Sequence, residues 1–268
     1  MTTLGPGSTS VSEVLAASIR DRLPVALATV VEGARCGAKL LVSSTGPSVG
    51  TLGDPDLDRV AGRDALGELE AGRTSVRHYG EHGEAGEDAV SVFVESFAPP
   101  PRMLIFGAVD FTAALARMAK VLGYHVTVCD AREVFATRRR FPMVDELVVD
   151  WPHRLLEREG STLNQRDAIC VLTHDHKFDV PAIVAALATG VGYLGAMGSR
   201  RTHAARVERL RAEGVDDAAM DRIMAPIGLD LGARTPEETA VAVCAEIIAR
   251  RTGKDAPSLR DSDGPIHA

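Results

Sequence analysis

After three successive prolines, Pro99, Pro100 and Pro101, the chain repeats one theme: a short apolar run followed by a stretch with helical periodicity. The apolar runs fall at 103–106, 124–129, 147–149, 168–172 and 191–194, and helical patterns such as 111–122 and 180–188 lie between them. A sixth segment, "IMAPIGLDLG", follows at 223–232. Strands this uniformly apolar are buried on both faces, and joining them through helices makes them parallel. The pattern therefore dictates an α/β fold, a Rossmann-like parallel sheet covered by helices on both faces. Gly123 stands where a C-terminal helix cap belongs. "TPEE" at Thr235 reads as a capping box, with Thr235 as N-cap, Pro236 at N1 and Glu238 at N3. It should open a helix that runs to about Arg251.

The prolines cannot donate backbone hydrogen bonds and favour extended chain. They predict a boundary: a smaller α+β N-terminal domain over 1–97, a linker over 98–102, the Rossmann-like domain over 103–253, and a polar, disordered tail over 254–268. In the first domain a helix is expected over 10–22. Strands are expected at "PVALATVV", "AKLLVSS" and "DAVSVFVESF", with "GPSVG" as a turn. A second helix is expected over 56–71, and the Gly-rich "HYGEHGEAGED" reads as a mobile hairpin loop.

Aromatic residues are only 4%, so the core must be built of Ala, Val, Leu and Ile. A formal charge of -7 excludes a broad nucleic-acid-binding face. The local run Arg138-Arg139-Arg140 reads as a solvated loop. The N-terminal segment lacks the pattern of a signal peptide, and no stretch is long and apolar enough to span a bilayer, so a cytoplasmic protein without a membrane partner is expected. Cys36, Cys129, Cys170 and Cys244 are widely spaced, which argues against zinc and disulfide frameworks and fits a reducing compartment. Cys129 and Cys170 lie in apolar runs and read as buried structural thiols.

In an open parallel sheet, ligands bind beyond the carboxyl ends of the strands. The segments that follow the strands carry Gly107, Asp110, Asp130, Arg132, Thr173, His174, Asp175, Gly198, Ser199, Arg200, Arg201 and Asp230, the candidate cofactor-binding residues. The first loop is an altered dinucleotide fingerprint. Gly107 permits the tight turn, but Val109 and Thr112 stand where a second and third glycine would be, and Asp110 is placed to cap the helix and repel phosphate. Asp130 ends the second strand, where an acid would accept a ribose hydroxyl.

"THDHKFD" invites a metal, yet His174 and His176 lack further ligands nearby, so no metal site is assigned. Polar recognition of a ligand is the preferred reading, with Asp179 capping a helix from Val180. The plainer alternative is a turn tied down by His174 or Asp175. "GSRRTH" is the best anion site: Gly198 and Ser199 open a helix whose first turn carries Arg200, Arg201 and His203. Its plainer alternative is a solvated Arg-rich helix, since Arg206, Arg209 and Arg211 continue the charge. No nucleophile constellation emerges, so no catalytic residue is assigned and a conventional enzyme is not expected.

Several long segments, "LGYHVTVCDAR", "FATRRRFP", "LTHDHKFDVPAI", "YLGAMGSRRTHAARVERLRAEGV" and "APIGLDLGARTPEETAVAVCAEIIA", resemble the XdhC/CoxI family of xanthine dehydrogenase accessory proteins. "VALATVV", "GAKLLVS" and "GTLGDPDLDRVAGRDALGELEAGR" resemble its N-terminal domain more weakly. The resemblance implies a chaperone that binds newly made molybdenum cofactor (molybdopterin), helps it acquire a terminal sulfur and passes it to a molybdenum hydroxylase. It also implies partners: the hydroxylase apo-enzyme, a cysteine desulfurase and further copies of the chain. Two departures stand out. The family's Gly-Gly-Cys segment is matched by "TLGDPDLD", with Gly53 and Asp54 but no cysteine, and its Gly-Ala-Gly-His loop is matched by "GAVD". The alternatives are an NAD(P)-dependent oxidoreductase, resting on Gly107 and Asp130, and a non-catalytic regulator or scaffold.

Overall fold

Two units, Met1–Pro99 and Pro100–Ala268, divide the chain inside the proline run. The computed structural model describes residues 10–86, 88–173 and 175–261. The first unit runs α1 (Val11–Arg20), β1 (Val25–Glu32), β2 (Lys39–Val42), β3 (Val49–Thr51), α2 (Pro55–Ala71), β4 (Ser75–Tyr79) and β5 (Val90–Phe97). Its strands form one antiparallel sheet in the order β3-β2-β1-β5-β4. Side chains alternate across a strand. Ala26, Ala28 and Val30 of β1 meet Leu57, Ala61, Ala65 and Leu69 of α2, while Val25 and Leu27 face Val11, Val14 and Leu15 of α1.

Two expectations change in this unit. "GPSVG" is not all turn, because Val49 and Gly50 join β3. His78 and Tyr79 are not loop but the end of β4, a hairpin partner of β5 across residues 80–89. β4 sits at the sheet edge with Arg77 and His78 exposed, so it lacks the apolar alternation that marks a strand in sequence.

The second unit runs β6 (Arg102–Phe106), α3 (Asp110–Val121), β7 (His125–Cys129), β8 (Glu146–Val148), α4 (Pro152–Glu159), β9 (Ala168–Val171), α5 (His176–Leu187), β10 (Tyr193–Ala196), α6 (Arg200–Ala212), α7 (Asp217–Met220), β11 (Ile223–Met224) and α8 (Pro236–Thr252). The sheet is parallel throughout, in the order β8-β7-β6-β9-β10-β11. Counted from β6, that is the 3-2-1-4-5-6 order of a doubly wound nucleotide-binding sheet, and its direction of winding switches between β6 and β9. Both faces are covered. Met103 and Ile105 of β6 pack with Leu115, Val243 and Ile247 of α3 and α8, while Leu104 and Phe106 pack with Leu155, Ile183 and Leu210 of α4, α5 and α6.

β10 lies two residues later than its apolar run suggests, because the ladder pairs Tyr193 with Ala168 and leaves Val191 packed before it. Cys129, Cys170 and Cys244 are buried free thiols, as expected of the first two. Burial pushes the Cys129 thiol up to about 12 and that of Cys244 to about 11, which keeps both protonated and inert. Among the described residues no helix is long and apolar enough to cross a membrane. Of the tail, residues up to 261 are described and carry a 3-10 turn at Leu259–Asp261.

The capping box is formed as read: the Thr235 hydroxyl accepts from the N–H of Glu238, whose carboxylate accepts from the N–H of Thr235. Thr235→Ala should lower the stability of the second unit by about 1 kcal/mol, read as a lower urea midpoint with an unchanged slope.

Candidate functional site

The site is built where β6, β7, β8, β9 and β10 end. Gly107 turns the chain out of β6 at φ 107°, a region that favours glycine. An added Cβ there would meet the Thr173 nitrogen at 3.0 Å, so the loops after β6 and β9 touch at the switch point. Thr112, fully buried, donates its hydroxyl to the Gly107 carbonyl. The turn is thus closed by a side chain where the dinucleotide fingerprint would leave open backbone. Asp110 does not cap α3; Val109 occupies the N-cap, and the exposed Asp110 carboxylate pairs with Arg140 at 3.2 Å. The cap falls one residue earlier because Thr112 draws the turn back onto Gly107.

Asp130 is buried and fully engaged. One oxygen accepts from the Arg132 N–H and Nε, each at 2.9 Å; the other accepts from the Ala108 N–H and Arg132 Nη2, each at 2.7 Å. Four donors fill the four lone-pair positions of a carboxylate. Burial disfavours its charge, but the Arg132 guanidinium and the two backbone N–H groups outweigh that and hold its pKa below the usual carboxylate range. A ribose hydroxyl would offer one neutral hydrogen bond, worth about 1 kcal/mol, against roughly 1.5–3 kcal/mol for each charged bond it displaced. Asp130 is therefore a clamp between the loops after β6 and β7, not a free acceptor.

Around this clamp lies an aromatic ladder that the sequence reading did not assemble. The Arg132 guanidinium carbon sits 4.7 Å from the Phe135 ring centre and 5.7 Å from that of Phe178. Phe178 stacks on Trp151 with centroids 4.6 Å apart and planes 19° apart. Arg140 reaches the same place, donating to the carbonyls of Ala108 and Phe135 and lying 5.9 Å from the Phe135 ring. The run Arg138-Arg139-Arg140 is thus only partly solvated, since Arg138 also donates to the carbonyls of Val144 and Asp145. These residues come from the loop after β7, the N-cap of α4 and the first turn of α5. The one available signal was a scarce aromatic in a strand-tip loop, as Trp151 is three residues after the end of β8.

Thr173 is buried and its hydroxyl accepts from the Asp175 N–H. His174 lies outside the described residues. Asp175, not Asp179, caps α5, accepting from the Lys177 N–H, so the helix begins at His176 and not Val180. Asp179 is instead buried against Arg206: its Oδ2 accepts from Arg206 Nε and Nη2, each at 3.1 Å, and Nη2 also donates to the Met197 carbonyl. Arg206 is 1% exposed, so it is a bolt between α5 and α6 and no part of a solvated face. Ser199 caps α6 and accepts from the Thr202 N–H. Arg200 and Arg201 stand exposed in the first turn without an ion pair among the described residues, and Gly198 packs against Thr202. Arg201, Arg206 and Arg209 border a groove of about 280 Å³ with His176 and Asp179.

The structure therefore joins Gly107, Asp130, Arg132, Thr173 and Asp175 around the switch point, and places Gly198, Ser199, Arg200 and Arg201 on the neighbouring helix start. Asp230 stands apart, exposed on a loop pinned along α8 by Gly228 and Leu229. Among the described residues no cluster of His, Cys, Asp and Glu could hold a metal ion. In the first unit, Asp54 caps α2 and accepts from the N–H groups of Asp56 and Leu57, while its other oxygen meets His82 Nδ1 at 2.9 Å. The helix-end N–H of Leu57 and then His82 hold the Asp54 carboxyl low, and the same contact raises His82.

Because the folded Asp130 pKa is depressed, its stabilisation is complete above the unfolded value of about 3.9 and is lost as pH falls through the folded value. Asp130→Asn should destabilise the second unit by roughly 1–3 kcal/mol at neutral pH, and the gap to wild type should narrow below about pH 4. Urea melts of both proteins from pH 2 to pH 7 check this; a gap that stays constant with pH would mean the carboxylate is not the clamp.

The second unit matches the model described as the XdhC Rossmann domain over residues 103–247, and residues 18–80 match that of the XdhC and CoxI family. Over 165 residues the chain is 32% identical to a probable xanthine dehydrogenase subunit of Bacillus subtilis, covering 62% of this chain and 47% of that protein. Over 166 residues it is 28% identical to the molybdenum cofactor insertion chaperone PaoD of Escherichia coli, covering 62% and 45%. The chain thus spans under half the length of these curated relatives. A solved structure described as a xanthine dehydrogenase from Bacillus halodurans shares the fold at 21% identity and a TM-score of 0.51, covering 94% of this chain and 98% of that one. With a doubly wound sheet, the clamped turn after β6 and the arginine-bearing start of α6 all falling inside the matched Rossmann segment, the chain belongs to the XdhC and CoxI family.

Proposed function

We propose that the chain is an accessory protein of a molybdenum hydroxylase of the xanthine or CO dehydrogenase type, and that the strand tips of its second unit receive the molybdenum cofactor as cargo. The observation that carries this reading is the pair Arg200 and Arg201, exposed and, among the described residues, unpaired in the first turn of α6, which follows a buried strand. Helix-start N–H groups and arginine forks together suit a phosphate, which the cofactor carries. The name of the PaoD relative, a cofactor insertion chaperone, supports the same assignment. Handing the cofactor to a hydroxylase apo-enzyme, assisting its sulfuration with a cysteine desulfurase, and acting in the cytoplasm as a homo-oligomer complete the proposal. An NAD(P) role receives no comparable support, because the acid that would bind ribose is saturated.

Protein purified without oxygen from cells that make the cofactor should carry molybdenum and, after oxidation, release a fluorescent pterin. A deletion strain should lose hydroxylase activity. No bound pterin together with normal activity in that strain would overturn the assignment. Replacing Arg200 and Arg201 together by Ala should weaken a phosphate-bearing ligand by roughly a hundredfold or more, since each lost charged hydrogen bond costs on the order of 1.5–3 kcal/mol. Unchanged affinity, measured by calorimetry, would make α6 a charged surface and nothing else.

A further inference from the structure

The ladder at the tips of β7, β8 and β9 does little for the core. Phe135 is 43% exposed and lies outside every buried cluster. Arg132 is 42% exposed along its side chain, yet it is not free to wander, because Asp130 holds both Nε and Nη2. Its plane is thereby fixed within reach of two aromatic rings, whereas an arginine serving only solubility would stay solvated and mobile. Trp151, the one tryptophan of the chain, completes the stack through Phe178. In a chain so poor in aromatics, three of them with a pinned guanidinium at the ligand-binding edge of the sheet are a surface for a flat ring.

Position agrees with chemistry. The ladder straddles the switch point, with Arg132, Phe135 and Trp151 beyond β7 and β8 and Phe178 beyond β9, and Arg200 and Arg201, unpaired among the described residues, lie beyond β10. From β7 to β10 there are three strand spacings, about 14 Å. That leaves room for a ligand with a ring at one end and a phosphate at the other.

We propose that the Phe135–Arg132–Phe178–Trp151 ladder seats a planar nitrogen heterocycle of the cargo, either its pterin or the base of an attached nucleotide. This rests on the proposed cargo role and adds the ring's place. Base–aromatic stacking of this kind tolerates different rings, since each offers a π-face.

The test uses the full chain and ligand-observed saturation-transfer NMR with pterin-6-carboxylate, GMP, CMP and inorganic phosphate as separate probes. Ring protons should receive saturation, and Phe135→Ala and Arg132→Lys should each weaken the ring ligands by about tenfold while leaving inorganic phosphate unchanged. Stronger pterin than nucleotide binding assigns the seat to the pterin; the reverse assigns it to the base. Trp151 emission should fall on adding a ring ligand but not phosphate. Ring ligands that bind wild type and both variants equally, or not at all, overturn the proposal, provided thermal melts show the variants folded.

The same variants, purified from cofactor-making cells, separate the two levels of inference. Cofactor retained equally by wild type and Phe135→Ala removes the ladder from the site and leaves the cargo reading intact. A wild type that retains none removes the cargo reading, and ring seating is then decided by the NMR alone.

Discussion

The Asp130 carboxylate is the constraint on which the strand-tip region depends. It gathers two backbone N–H groups from separate loops and a guanidinium into one buried knot. Without it the Ala108 N–H would be left in a buried turn with no acceptor, and Arg132 would lose the partner that sets its plane. The same saturation shows how a doubly wound sheet keeps its topology while the acid at its second strand tip is engaged by the fold. Gly107 retains the turn, Thr112 closes it by hydrogen bonding to the Gly107 carbonyl, and Asp130 closes it from the other side. The two features a dinucleotide needs, open backbone for pyrophosphate and a free acid for ribose, are both spent on the fold.

A second polar bolt acts one helix further along. Arg206 and Asp179 are both buried, and burying two charges costs several kcal/mol before their attraction and hydrogen bonds offset it. The Met197 carbonyl supplies a further acceptor, so the pair fixes the middle of α6 to α5 and to the residue after β10. It also divides the arginines of α6 by role. Arg206 is spent inside, Arg211 pairs with Glu208 and Asp217, and Arg200 and Arg201 keep their charge for solvent or ligand. An acidic chain can thus present a local cationic rim without a basic face.

The parallel sheet was legible because its strands are buried on both faces, which writes them into the sequence as continuous apolar runs. The capping box at Thr235 was legible because its partners lie within three residues. What was not legible depends on contacts across the chain. β4 is a polar edge strand whose identity comes from pairing with β5. The start of α5 reads as Asp179 on local grounds, and only the burial of Asp179 against Arg206 shows why Asp175 takes the cap instead. The candidate residues at the strand tips were found from topology, but their states were not: Asp130 reads as an available acid until Arg132 and Ala108 are seen around it. The ladder joins residues 132, 135, 151 and 178, which no spacing rule connects.

The first unit sharpens where chemistry can reside. Where the family resemblance leads one to expect Gly-Gly-Cys, this chain has Gly53 and Asp54, and Asp54 is already committed to capping α2 and holding His82. Cys36, the one exposed thiol among the described cysteines, donates to the Val31 carbonyl and lies on a different loop. A loop whose acid stabilises a helix start and whose sequence lacks the thiol has no soft ligand to offer a metal or a sulfur. Recognition by phosphate and ring contacts needs neither, and both kinds of contact are available in the second unit. What the described residues of the second unit offer at the strand tips is therefore contact with the organic part of a ligand.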